Sequence, residues 1–97
     1  MTNLAITYLP IDDLVAAARN ARTHSPKQLR KLARAIKQFG FRVPILCDAD
    51  NRIIAGHARL AAARSIAMRH VPVIRIDDLS PGQAEAFALF ENRISDD

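Results

Sequence analysis

The sequence predicts one mixed α/β domain of the α+β kind, with a small mixed sheet and three main helices. Short apolar runs of strand length alternate along the 97 residues with longer runs whose apolar residues recur at helical spacing. A Ser-Pro-x-Gln pattern, which joins an N-cap to a first-turn proline, occurs at Ser25 and again at Ser80. A chain of this length suits one domain, so residues 1–97 are assigned to a single unit.

Four short apolar runs predict the strands of the sheet. They are residues 4–9, 43–47, 52–55 and 71–76. Pro10 ends the first run, because proline lacks the N–H that a strand ladder uses. Pro44 places the second run at a sheet edge or at the start of a strand. The turn-forming residues 48–51 lie between the second and third runs, which predicts a hairpin.

The first main helix has the clearest boundaries. Ser25 is the predicted N-cap, Pro26 takes the first helical position, and Gln28 completes a capping box. Gly40 ends the helix, because glycine adopts the left-handed conformation common after a last turn. Its predicted apolar face consists of Leu29, Leu32, Ala33, Ile36 and Phe39.

Two further main helices follow the hairpin. One is predicted over residues 58–67, and the other runs from Pro81 toward Arg93. The apolar residues of the last helix are Ala84, Phe87, Ala88 and Phe90. All four phenylalanines of the chain are assigned to the core. A shorter helical turn is predicted over residues 14–18, where Asp12 and Asp13 can cap it.

Composition excludes several classes of protein. With 49% hydrophobic and 25% charged residues, the chain has the balance of a folded globular domain. Its one cysteine, Cys47, supplies neither an internal disulfide nor a metal cluster and is predicted to lie in the core. No apolar run approaches the ~20 residues that span a membrane, and no signal peptide is visible. Cytoplasm is the expected location.

Charge is unevenly distributed along a chain whose formal net charge is +4. From Arg19 to Arg75 only two acids interrupt the basic residues, whereas acids dominate after that point. This pattern fits either polyanion binding in the middle of the chain or an uneven solvated surface. The same two interpretations apply to the cations of the first helix, the candidates for contact with the DNA backbone: Lys27, Arg30, Lys31, Arg34 and Lys37.

The segment that most clearly suggests a binding site is the junction at Gly56. A predicted strand runs into this glycine, and a helix starts at once. Free N–H groups and the positive end of the dipole make a helix N-terminus a site for anions. Arg59 in the first turn can clamp a phosphate, and His57 can donate a hydrogen bond. A plain strand-to-helix turn with an exposed histidine is the alternative.

Five motifs, in their order along the chain, resemble those of a known family. The motifs are Asn20-Ala-Arg-Thr-His-Ser-Pro, Ile36-Lys-Gln-Phe-Gly-Phe-Arg-Val-Pro-Ile, Ile54-Ala-Gly-His-Ala-Arg-Leu-Ala-Ala-Ala-Arg, Val71-Pro-Val-Ile and Glu91-Asn-Arg. In that order they resemble the ParB N-terminal domain, whose fold is shared with sulfiredoxin. The resemblance extends from about residue 6 to residue 93, and the glycine turn and the Val-Pro-Val strand are its most specific parts.

The resemblance implies a binding site for a nucleoside triphosphate, CTP or ATP, with magnesium. The residues that it implies for the nucleotide and its phosphates are Arg22, Thr23, Gly56, His57, Ala58, Arg59, Asn92 and Arg93. Glu91 is the implied metal ligand and the best candidate for a catalytic residue. DNA is the implied partner, contacted through its backbone, and the domain is expected to pair with itself as a homodimer or with a DNA-modifying domain.

Two positions depart from the family pattern of glycine, acid, arginine and arginine. His57 replaces the acid and Ala58 replaces the first arginine, so one cation of the phosphate clamp is missing. This variant resembles ParB-like domains found beside DNA methyltransferases in phage and bacterial chromosomes, which suggests a piece of a longer protein. A nuclease or nucleotide hydrolase and an interaction module with a degenerate pocket remain the alternatives. Sulfiredoxin activity is not expected, because the turn lacks a cysteine.

Overall fold

The computed structural model describes residues 4–16 and 24–94, and for residues 92–94 it describes only the backbone. The elements in chain order are β1 (Ile6–Pro10), a 3-10 turn (Ile11–Asp13), α1 (Pro26–Phe39), β2 (Ile45–Cys47), β3 (Ile53–Ala55), α2 (His57–Ser65), β4 (His70–Arg75) and α3 (Pro81–Ile94). The predicted mixed α+β domain, with its small sheet and three main helices, is confirmed.

The four strands form one mixed sheet in the order β1, β4, β2, β3. β1 runs antiparallel to β4, β4 runs parallel to β2, and β2 pairs antiparallel with β3 as the predicted hairpin. Pro44 directly precedes β2, which has a neighbour on each side. Of the two positions that this proline allowed, the start of a strand is therefore the correct one.

The core lies where the central strands meet α2. Its largest fully buried side chains are Ile45, Cys47, Ile53, Val71 and Val73, each exposed by 2% or less. Burial raises the pKa of the Cys47 thiol, and the neighbouring Arg75 only partly opposes that effect. The prediction that Cys47 is a small core residue is confirmed.

Both predicted helix caps are present. The Oγ atom of Ser25 accepts a hydrogen bond from the Gln28 N–H at 3.1 Å, and the Gln28 side chain accepts one from the Ser25 N–H at 3.4 Å. Ser80 and Gln83 repeat the arrangement at 3.2 and 2.9 Å. Each cap satisfies backbone donors that the first turn of a helix leaves without a partner. Gly40 ends α1, as predicted, with a φ of 87° and a ψ of 170°.

The predicted helical turn over residues 14–18 is wrong for the part that the structure describes. Leu14 is extended, and Val15 forms a parallel bridge to the hairpin. The Val15 N–H donates to the carbonyl of Asn51 at 2.9 Å, and the Ile53 N–H donates to the carbonyl of Val15 at 2.9 Å. The hairpin therefore satisfies the backbone groups that a helix would have paired internally. Residues 17 and 18 lie outside the described part of the chain.

Two phenylalanines assigned to the core are exposed instead. Phe39 is 61% exposed and Phe90 is 56% exposed. α1 packs on α2 through Ala33 and Ile36, and Phe39 is the last residue of α1, outside that contact. Phe90 lies about 200° around the helix from the buried Ala88 and so faces the opposite side.

Within the described residues, no helix is long and apolar enough to cross a bilayer.

Candidate functional site

The turn between β3 and α2 consists of Gly56 alone. Its backbone is left-handed, with φ 109° and ψ 21°, a region that other residues rarely adopt. A Cβ atom built on Gly56 would lie 3.0 Å from Cγ1 of Ile45 and 3.3 Å from its Cα. Both the backbone conformation and the close approach of β2 therefore require glycine at this position.

A cleft of about 420 Å³ opens in front of this turn. Five parts of the chain form its walls: the residue before the α1 cap, the approach to β2 and β2 itself, the end of β3, the first turn of α2, and α3. Its lining residues are His24, Val43, Pro44, Leu46, Ala55, Gly56, His57, Ala58, Arg59 and Glu91. The structure thus brings Glu91 to the turn residues although more than 30 positions separate them in the sequence.

The first turn of α2 gives the cleft an electropositive wall. His57, Ala58 and Arg59 are the first three residues of the helix, and Gly56 has no side chain with which to cap them. Backbone N–H groups at this end have no intrahelical acceptor, and the helix dipole favours an anion there. Arg59, a half-buried residue, adds the full positive charge of its guanidinium from the same turn.

Two histidines share the cleft with Arg59 and Glu91. Burial lowers the pKa of His57, and a smaller contribution from the neighbouring His24 acts in the same direction. Both effects favour the neutral imidazole when no anion is bound. His24 and His57 are each half-buried. His57 therefore adds less positive charge to the cleft near neutral pH than an ordinary histidine would.

The comparison with protein families decides which family this fold and cleft represent. The family model of the ParB N-terminal domain matches residues 1–93. The chain belongs to the ParB N-terminal domain family. A ParB-like nuclease domain-containing protein of Escherichia coli, YnaK, is 45% identical over 82 residues, which cover 84% of this chain and 94% of that protein. The probable chromosome 2-partitioning protein ParB of Deinococcus radiodurans is 35% identical over 91 residues, 90% of this chain and 31% of that protein.

Solved structures share the architecture. A C-terminally truncated ParB of Caulobacter crescentus, complexed with CTP-gamma-S, has a TM-score of 0.79 at 25% identity and covers 91% of this chain. This chain spans about half of that one, at 52%. Sulfiredoxin of Arabidopsis thaliana has a TM-score of 0.68 at 18% identity, over 75% of this chain and 85% of its own, which shows the common fold alone. The expected ParB and sulfiredoxin fold is confirmed.

Two parts of the cleft were not predicted from the sequence. A histidine in the polar connection before the first main helix is expected to be an exposed loop residue, but His24 is half-buried in the lining. The only signal was its position directly before the Ser25 cap, where the fixed start of α1 holds it. The apolar lining residues Val43, Pro44 and Leu46 were not predicted either. A short apolar strand does not show in its sequence whether its side chains face the core or a cleft.

Four candidate residues of the nucleotide site lie outside what the structure describes. They are Arg22 and Thr23, and the side chains of Asn92 and Arg93. The backbone of the last two forms part of the final turn of α3, directly after Glu91. The five DNA-contact candidates, Lys27, Arg30, Lys31, Arg34 and Lys37, are all exposed on α1. They form a basic face separate from the residues through which α1 packs on α2.

Acidic residues at the cleft bear on a magnesium site. Among the described lining residues Glu91 is the only carboxylate, and nowhere in the described chain do three His, Cys, Asp or Glu side chains converge as a metal-binding group. Magnesium commonly takes one or two protein carboxylates and completes its shell with water and substrate phosphates. One carboxylate in the cleft is the number that a magnesium ion takes when it arrives with a nucleotide.

Proposed function

We propose that this ParB-like domain binds a nucleoside triphosphate in the cleft, with the phosphates against the Gly56 turn. The observation that carries the proposal is the convergence of the α2 N-terminus, Arg59 and two histidines on one cleft of about 420 Å³. That volume lies within the range of small-molecule sites, roughly 300–1,000 Å³. CTP is the first candidate, because the related Caulobacter ParB was solved with a CTP analogue.

The polar and apolar lining residues would contribute to binding in different ways. The N–H groups at the start of α2 would donate to phosphate oxygens, and Arg59 would pair with a phosphate through its planar fork. Val43, Pro44 and Leu46 form the apolar part of the lining, where contact with a ligand would exclude water. Gly56 lets the ligand approach the backbone without a Cβ atom in the way.

Further contacts are proposed for residues at the border of the described structure. Arg22 and Thr23 precede His24, which lines the cleft, and Asn92 and Arg93 follow Glu91. We assign Arg22, Thr23, Asn92 and Arg93 to the nucleotide and Glu91 to a magnesium ion that accompanies the triphosphate. The metal would neutralise part of the phosphate charge. Occupancy of the site would alter how the domain pairs with itself or with a neighbouring DNA-modifying domain.

A ligand panel tests the nucleotide proposal. We expect one of CTP, ATP, GTP and UTP, with magnesium, to raise the Tm of the domain, and CDP and CMP to give successively smaller shifts. At about ten times Kd a ligand adds about 1.4 kcal/mol, which raises the Tm of a domain this size by about 5–10 °C. Differential scanning fluorimetry measures the shifts. No shift with any nucleotide at millimolar concentration contradicts the proposal and favours a docking module with a degenerate pocket.

A second candidate function is cleavage of DNA. The E. coli relative that is 45% identical over most of its length is called a ParB-like nuclease domain-containing protein. Here the exposed cations of α1 would hold the DNA backbone, because phosphate contacts position a protein on DNA without reading sequence. Glu91 is the carboxylate of the cleft that a metal-dependent reaction would use.

One assay addresses both the DNA contact and the cleavage. Labelled duplex DNA is incubated with the domain and magnesium, and binding and cleavage are measured in the same samples. If the domain is a nuclease, Glu91→Gln abolishes cleavage but does not change DNA binding. The double variant Lys31→Ala, Arg34→Ala should bind DNA more weakly, and its binding should depend less steeply on salt concentration. Intact DNA with the wild type excludes the nuclease function under these conditions.

A further inference from the structure

The cleft contains an unusual balance of charge for a site that holds phosphates. Among its described lining residues, Arg59 and Glu91 cancel when both are ionised, so the side chains with variable charge are His24 and His57. The remaining described lining residues, on the approach to β2, on β2, on β3 and in the turn, carry no titratable side chain. Any additional positive charge from the described wall must therefore come from protons on the two imidazoles.

The positions of His24 and His57 would let an anion in the cleft favour protonation of their imidazoles. His57 is the first residue of α2, at the end where the helix dipole and the backbone donors favour negative charge. His24 precedes Ser25, the cap of α1, so the fixed start of a second helix holds it at the same cleft. An anion in the cleft would therefore be within the site that both residues line, and His⁺ can donate hydrogen bonds from both ring nitrogens.

We propose that His24 and His57 form a proton-loaded phosphate clamp, in which binding of a triphosphate and uptake of protons by the two imidazoles occur together. This inference rests on the proposed nucleotide function and assigns the regulation of that site. The clamp would supply the positive charge that Ala58, a cleft-lining residue without a charged group, does not provide. Acidity would then control nucleotide affinity.

The sign of the effect follows from the environment of the rings. In the ligand-free cleft, burial and His24 hold the pKa of His57 below its ordinary value. A bound polyphosphate favours the charged form and raises that pKa. Between the two values binding takes up a proton, so affinity rises as the pH falls and becomes constant below the ligand-free pKa. One coupled proton changes Kd by up to about tenfold per pH unit.

Isothermal titration calorimetry of the whole chain with CTP and magnesium tests the clamp. Titrations from about pH 8 to about pH 6 give the pH dependence of Kd, and buffers of low and high ionisation enthalpy give the number of protons taken up. The terminal phosphate of a nucleotide also titrates at about pH 6. The relevant quantity is therefore the difference between the wild type and variants, since that contribution is common to all of them.

Four variants separate the histidines from other groups. The double variant His24→Gln, His57→Gln should lose the proton uptake and leave a pH dependence at least severalfold weaker per pH unit. His70→Gln is the matched control, because His70 is exposed at the start of β4 and does not line the cleft. Glu91→Gln should keep the proton uptake. Ala58→Arg, which adds a permanent cation to the lining, should strengthen binding most at the alkaline end and flatten the pH profile.

The outcomes distinguish the clamp from the nucleotide proposal itself. Nucleotide binding with equal proton uptake in the wild type and in the double histidine variant overturns the clamp alone. Loss of the uptake in Glu91→Gln also overturns it, because the carboxyl would then be the group that titrates. The absence of nucleotide binding at every pH overturns both proposals. Thermal unfolding of each ligand-free variant shows whether the substitution has left the domain folded.

Discussion

Substitution of Gly56 by alanine is expected to destabilise the domain by about 3 kcal/mol. Two independent effects contribute. The left-handed φ of 109° is strained for any residue with a Cβ, and the new Cβ would meet Cγ1 of Ile45 at 3.0 Å. Rotation of the Ile45 side chain cannot remove the contact, because the Cα atom of Ile45 lies at 3.3 Å and belongs to the backbone of β2. The turn or the strand must move.

Gly82→Ala is the matched control for this substitution. Gly82 lies in the first turn of α3, and a Cβ built on it would meet no atom within 4 Å. Alanine there should stabilise the domain by about 0.5–1 kcal/mol, because glycine loses more conformational freedom when a helix forms. Urea unfolding followed by circular dichroism measures both variants. Equal stability changes in the two would show that the Gly56 turn is not constrained as the structure indicates.

Substitution of Arg59 by alanine is expected to weaken triphosphate binding by ten- to hundredfold. A charge-assisted hydrogen bond to a buried anion contributes about 1.5–3 kcal/mol. Arg59 lines the cleft from the first turn of α2, beside the backbone donors of the helix. Arg59→Lys should have an intermediate effect, because lysine keeps the charge but lacks the planar fork that pairs with two phosphate oxygens. Calorimetric titration with the best nucleotide of the panel gives the three values of Kd.

Arg64→Ala controls for the loss of a general positive charge. Arg64 lies in the last turn of the same helix, is exposed, and is not among the cleft residues. Its removal lowers the net charge by the same amount and should change Kd less than about twofold at physiological salt, where distant exposed charges are screened. Equal losses in Arg59→Ala and Arg64→Ala would indicate long-range attraction and exclude a local phosphate clamp at the turn.

The wider role of the domain depends on these two results together. The relationship to chromosome-partitioning proteins follows from the family match and from the Deinococcus relative, of which this chain spans 31%. A stable domain in which Arg59 binds a triphosphate would support a nucleotide-controlled binding module in a DNA-associated protein. A stable domain without a ligand would support an interaction module on the same fold.

Local chemistry made several features predictable from the sequence. Both capping boxes close within four residues, so Ser25 and Ser80 could be assigned without knowledge of the fold. Glycine between a predicted strand and a predicted helix located the turn at Gly56, where the structure shows a left-handed backbone that few other residues adopt. The hairpin was predictable from turn-forming residues between two apolar runs, and the burial of Cys47 was predictable from its apolar neighbours.

Only the tertiary structure decided what depends on contacts between distant residues. The position of β4 between β1 and β2 and the bridge from Val15 to the hairpin require pairings that no local pattern encodes. The exposure of Phe39 depends on where along α1 the contact with α2 ends. His24 joined the cleft only because the start of α1 packs near the Gly56 turn. The sequence by itself thus determined the helix caps and the turn, whose partners lie within a few residues. The tertiary structure decided the walls of the cleft, because they come from five separate parts of the chain.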